Sequence, residues 1–185
     1  MRINGIYLYV KTAATTNSRT DDDIYLGLVG TIGGREFLLD RPSLPTGSEV
    51  RFMWGQVMSL HADRVKPSVG TTVICQPNLT HVYLRKHGFP TNATDDAWNM
   101  EDAFVFLQTD DGQIFVYVAT GPEQLSRENG LIVYLAQSGH YGDLANRQLT
   151  LVATPASCAK ADEADARRAT IARLMGTGEG KGDAS

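Results

Sequence analysis

Apolar residues recur at every second position in short runs, and turn residues separate the runs. Ile6, Leu8 and Val10 alternate with Tyr7, Tyr9 and Lys11. Ile24, Leu26 and Leu28 alternate with Tyr25, Gly27 and Val29. Phe37 and Leu39 follow in residues 35–40, and Val50, Phe52 and Trp54 in residues 49–54. Val82 and Leu84 alternate with His81, Tyr83 and Arg85. A period of two is the signature of a half-buried β-strand, because successive side chains point to opposite faces. Two later runs, 103–107 and 114–118, are apolar on both faces. Asp111-Gly112 lies between them, and Gly there supplies the positive φ that a tight turn needs, so residues 101–119 read as a hairpin. Residues 71–76, 130–136 and 147–153 add three candidate strands, the last two joined by a polar, Gly-containing stretch. The total is about ten short strands, uninterrupted by any helical pattern, which predicts an all-β sandwich rather than a βαβ fold.

At 185 residues the chain has room for one domain with a sizeable core plus a tail. Pro155 closes the last predicted strand. Residues 159–175 then become rich in Ala, with acids first (Asp162, Glu163, Asp165) and arginines later (Arg167, Arg168, Arg173). That order suits the helix dipole and an i,i+4 pair, although Ile171, Leu174 and Met175 are its only large apolar residues. The expected organisation is therefore a sandwich over residues 1–154, including an added hairpin at 130–154, followed by a helical or disordered tail at 155–185.

The net charge of −4 and the absence of a polybasic run argue against nucleic acid as a partner. No apolar run approaches the roughly 20 residues of a membrane span. The N-terminus enters a strand pattern with no apolar signal core, which predicts a cytoplasmic protein. Cys75 and Cys158 are too few and too far apart for a disulfide scaffold and read as free thiols. His61, His81, His87 and His140 show no metal-ligand spacing. There is no Gly-x-Ser-x-Gly element, and the glycines at 27, 30, 33 and 34 separate two strands without a following helix. The chain is expected to have no catalytic activity.

Three segments together resemble a known family. Val10-Lys11-Thr12, then Thr20-Asp21-Asp22-Asp23-Ile24-Tyr25-Leu26, then Gly34-Arg35-Glu36-Phe37-Leu38-Leu39-Asp40 resemble the start of a PLAT domain (polycystin, lipoxygenase, alpha-toxin). Val82-Tyr83-Leu84-Arg85-Lys86-His87-Gly88 is similar to the family's strand that leads into a loop. Trp98-Asn99-Met100-Glu101-Asp102-Ala103-Phe104-Val105 is similar to its tryptophan segment, with Met100 where Leu is usual and Glu101 where Asp is usual. The resemblance covers roughly residues 3–119. Residues 55–70 are longer than the pattern, and 130–153 lie beyond its usual last strand.

The resemblance implies an antiparallel β-sandwich of two four-stranded sheets, here with an extra C-terminal hairpin, as a stand-alone member of the bacterial type. It also implies a non-enzymatic module that docks to a protein or to a lipid surface, with calcium in the end loops of some members. Calcium takes about six to eight oxygen ligands from adaptable loops. Asp21 and Asp23 match the family's acidic loop, and Glu101 matches the acidic position of the tryptophan segment. Asp95 and Asp96 stand just before Trp98 and are further candidate ligands if the loops meet.

Phe89, in Gly88-Phe89-Pro90, and Trp98 at the end of the same loop are the candidate partner or lipid contacts. Two other readings compete. Residues 130–153 could pair edge to edge with a second copy, which makes a self-associating structural protein. Tyr7, Tyr9, Tyr25 and Tyr83 could instead line a sugar-binding platform on the polar strand faces, the ordinary alternative being cross-strand aromatic pairs.

Overall fold

The computed structural model describes residues 2–31, 33–40, 43–55, 57, 60–66, 69, 79–87, 97–126, 129–142, 150–153 and 174. The strands are β1 (Ile3–Thr12), β2 (Asp23–Gly30), β3 (Gly33–Leu38), β4 (Glu49–Gly55), β5 (Arg64–Lys66), β6 (Leu79–His87), β7 (Trp98–Thr109), β8 (Ile114–Leu125), β9 (Ile132–Gly142) and β10 (Thr150–Ala153). The alternating runs are all strands, as the pattern requires. The two-faced apolar runs form the β7–β8 hairpin, whose turn closes through the Gly112 amide on the Thr109 carbonyl (2.9 Å), with Gly112 at φ 81°. The candidate strand at 71–76, Cys75 and Cys158 lie outside the described residues. So does the tail, apart from Leu174.

The strands form one continuous sheet in the order β3-β2-β6-β9-β8-β7-β1-β4-β5, with β10 beside β9. Among the described pairs only β4 and β5 are parallel, so the sheet is mixed. Two separate four-stranded sheets are therefore not what forms, and β9 is the reason. Its residues 132–135 pair with β6, and its residues 136–141 pair with β8. A register shift opposite Val116 and Tyr117 falls in the second half. Such an irregularity bends a strand and increases its local twist, which lets it pass from one layer to the next. The first strand of the expected hairpin is thus the link that closes the fold rather than an addition. β10 completes the hairpin on its far end.

Curling brings the β3-β2-β6 layer over β1, β4, β7 and β8. Ile24, Leu26, Leu28, Val82 and Leu84 from one side share a core with Ile6, Leu8, Phe52, Val105 and Leu107 from the other. Phe37 of β3 meets Trp54 of β4 across it, ring centroids 5.4 Å apart. A second apolar cluster occupies the outer face of the larger layer: Tyr7, Tyr9, Met53, Phe104, Phe106 and Val116 are all buried there. This explains why 103–107 and 114–118 are apolar on both faces. Each of their faces has a cover, whereas the exposed side of an antiparallel sheet ordinarily alternates apolar with polar. No helix among the described residues is long and apolar enough to cross a membrane.

Candidate functional site

The loop between β1 and β2 is tied to the start of β7. Ala13 N–H donates to the Asn99 carbonyl (2.8 Å), and Asn99 Nδ2 donates to Ser18 Oγ (3.3 Å). Trp98 is fully buried, with its indole Nε1 donating to Thr12 Oγ1 (3.1 Å). It anchors the loop and offers nothing to a partner, because its one polar atom is already used inside the core.

The carboxylates of this end do not gather. Asp21 pairs with Arg19, and Glu101 accepts from Lys11 Nζ (2.6 Å). That bond to Glu101 holds the Lys11 ammonium above its ordinary pKa. Asp22 is paired with Lys86, whose side chain is wholly buried. Asp23 opens β2 opposite His87. Among the described residues no group of three or more His, Cys, Asp or Glu is placed to hold a metal ion. Each of Asp21, Asp22 and Glu101 is paired with a cation among the described residues. Asp95, Asp96 and Phe89 lie outside the described residues.

The geometry concentrates elsewhere, on the outer face of β3, β2, β6 and β9. Strand register aligns Glu36, Gly27, Tyr83 and Tyr134 in one row, and Leu38, Tyr25, Arg85 and Ile132 in the next. Arg85 grips Glu36 through Nε (2.7 Å) and Nη2 (2.6 Å). Tyr83 Oη donates to the same carboxylate (3.0 Å), and the guanidinium lies 4.5 Å from the centre of the Tyr25 ring. Gly27 makes this possible: a Cβ there would fall 2.0 Å from the Tyr83 ring, which covers the glycine. Tyr134 stands beside Tyr83 (6.1 Å) and His81 (5.5 Å).

Tyr25 and Tyr83 thus share a surface with Tyr134, but Tyr7 and Tyr9 do not. Those two belong to the second apolar cluster, so the four-tyrosine platform is not formed. Alternation assigns residues to a face without saying whether that face is wet. The row partners of Tyr83 escaped the sequence reading because register across β2, β6 and β9 depends on which strands meet.

The Arg85 bond draws the Glu36 carboxyl below its ordinary pKa, against the opposing effect of partial burial and with help from Tyr83. Burial and the bond to Glu36 push the Tyr83 phenol up. A depressed carboxyl contributes stability above its unfolded value, near pH 4.5, and loses it as pH falls through the folded value. Wild type is therefore expected to exceed Glu36→Gln by about 1 kcal/mol or less at pH 7, because the pair is partly exposed, and to lose that margin progressively as pH falls below 4.5. Urea midpoints of both proteins across pH 3–7 measure it; a constant gap would show that Glu36 is not held by Arg85.

No family model matches the chain, and no curated protein matches it. Its fold is nonetheless found among solved structures. The alpha-toxin of an avian strain of Clostridium perfringens is similar at a TM-score of 0.51 and 16% identity, over 73% of this chain and 31% of that one. The alpha-toxin of Clostridium absonum gives 0.49 and 17% over 72% and 31%. A coral 8R-lipoxygenase, described as showing calcium activation via a C2-like domain, gives 0.49 and 13% over 91% and 20%. At these identities the likeness is one of fold, and the first carries it. The chain spans less than a third of the length of each of these proteins.

Proposed function

We propose that this chain is a non-enzymatic, PLAT-like sandwich module that docks to a protein partner through the outer face of β3, β2, β6 and β9. The observation that carries the reading is the exposure of large apolar side chains. Among the described residues four are exposed, and Leu38 (37%), Ile132 (46%) and Tyr134 (61%) all lie on this face. Exposed apolar residues grouped on one surface mark interaction sites more often than scattered ones do. Tyr and Arg are also the residues that anchor protein interfaces. The Glu36–Arg85–Tyr83 network holds the face rigid, which lowers the entropy lost on docking.

The resemblance of residues 3–119 to PLAT domains and the fold likeness to alpha-toxin support a binding role. A lipid surface is the weaker target, since a net negative chain gains nothing from anionic lipid. Docking in this reading needs no calcium. The cluster of Tyr25, Tyr83, Tyr134 and His81 favours one second reading, a sugar ligand stacked on the rings.

The test compares wild type with Ile132→Ser/Tyr134→Ser, both exposed positions at which the fold should persist. Proteins retained by immobilised wild type are identified, purified and titrated against both forms. The double variant should bind at least about tenfold more weakly. Equal binding by the variant would remove this face from the account. Binding only to vesicles or only to a glycan panel would replace the protein partner with lipid or sugar.

A further inference from the structure

β3 and β5 end the main run of strands in the sheet. An end strand leaves a row of backbone N–H and C=O groups unpaired, and proteins guard such edges with short strands and charged side chains. β5 is guarded in this way: it has three residues, and Arg64 and Lys66 flank Val65. β3 has six. The Leu39 N–H donates to the Ile24 carbonyl (2.8 Å), which fixes the phase of the β2–β3 ladder. Phe37, Arg35 and Gly33 therefore turn their backbone groups toward β2, and Leu38, Glu36 and Gly34 turn theirs away from it. Among the described residues no strand or bridge pairs with that second set.

The charged side chains of β3 do not close this edge. Glu36 is held over its own sheet by Arg85 and Tyr83. Arg35 bends back, its Nη1 donating to the Val69 carbonyl (3.0 Å) and its guanidinium 5.1 Å from the centre of the Phe37 ring. Gly33 and Gly34 carry no side chain, and Leu38 is exposed. We infer that the free edge of β3 takes an extended segment of another protein as an added strand, continuing the docking face beyond β3. The inference rests on the docking role proposed above and names the form of its partner. Main-chain hydrogen bonds to Leu38, Glu36 and Gly34 supply affinity, and alternate side chains supply specificity. The segment carries an apolar residue beside Leu38 and an acidic residue opposite Arg35, three positions apart and so on opposite faces.

Charge selects this occupant over a second copy. Among the described residues Arg35 forms no ion pair with a carboxylate. Two copies of β3 joined antiparallel about a twofold axis set residues of the same face against each other. The face that carries Arg35 holds Gly33 and Phe37 and no acid. Registers centred on Arg35 or on Glu36 oppose like charges, which is destabilising.

The probe is a displayed library of random linear peptides, selected on the immobilised full chain. Enriched peptides should share an apolar residue and an acid three positions apart. One of them, synthesised, should slow amide exchange at Gly34, Glu36 and Leu38 at least about tenfold, with a smaller effect at Arg35 and Phe37, whose amides already face β2. Leu38→Pro removes the outward N–H and keeps an apolar ring, so it should weaken binding at least about tenfold and more than Leu38→Ser does. No enriched sequence, or equal binding by Leu38→Pro and wild type, would overturn the inference. If Leu38→Pro does not fold, the exchange of the three amides in wild type decides: slowed by the peptide they support the strand, and unchanged they overturn it. A peptide that weakens on Ile132→Ser/Tyr134→Ser but leaves the three amides open would overturn the added strand and keep the docking face. Protection of those amides in wild type alone, rising with its own concentration, would give the edge to a second copy and overturn the assignment to another protein.

Discussion

Replacing Asp22 by Ala is expected to destabilise the protein by about 3–5 kcal/mol, a large part of a domain's total stability. The reason lies in Lys86. Val82, Leu84 and Lys86 share the inward face of β6, so strand geometry carries the lysine stem into the core. Its side chain has no exposure, and the side chain of Asp22 keeps 19%. Removing Asp22 takes from this buried ammonium the carboxylate it pairs with, while the cost of burying the charge stays. Thr20 Oγ1 accepts from the Asp22 N–H (3.1 Å) and fixes the loop that delivers the carboxylate.

The thermal midpoint of Asp22→Ala should fall by roughly 10 °C. The double variant Asp22→Leu/Lys86→Met should recover most of that loss, because removing both charges also removes the desolvation cost. Asp21→Ala, one residue away, should change little, since its pair with Arg19 is 61% and 44% exposed. Equal effects at 21 and 22 would show that the loop acts as a hydrated turn and that Lys86 finds its counter-charge elsewhere.

Lys86 also shows how far the sequence could be read. Extending the alternation of Val82 and Leu84 by one step puts a lysine inside, and a buried lysine calls for an acid. The run Asp21-Asp22-Asp23 was near enough in the chain pattern to supply it, yet three adjacent acids are equally the sign of a metal loop. The placement of β6 beside β2 is what brings Asp22 to Lys86. Strand existence was plain from periods of two, and the β7–β8 hairpin from its turn. The passage of β9 between layers was not, because residues 132–135 and 136–141 carry ordinary strand residues and differ only in which neighbour they meet. Leu38, Ile132 and Tyr134 come together for the same reason: β3 and β9, distant in sequence, share one face through pairing with β2 and β6.

Phe106→Ala is the second large effect expected, about 3–5 kcal/mol in a denaturant titration. Phe106 has no exposure although it points away from the main core. It pairs in register with Tyr7 on β1, and the two rings meet edge to face at 5.6 Å. Truncation would lose that contact and leave a cavity under the cover of the outer face. Tyr7 reports the same event independently. Burial pushes its phenol up to about 12, with Asp63 adding to the rise and Arg51 opposing it. Opening the cavity to water should let that phenol fall back toward 10, the ordinary tyrosine value. An ultraviolet titration of wild type and Phe106→Ala below the unfolding pH would follow it. If truncation costs less than about 1 kcal/mol and the tyrosine titration does not move, the outer face is wet and its cover is loose. If both change together, the second core is as closely packed as the first, as a sheet with both faces covered requires.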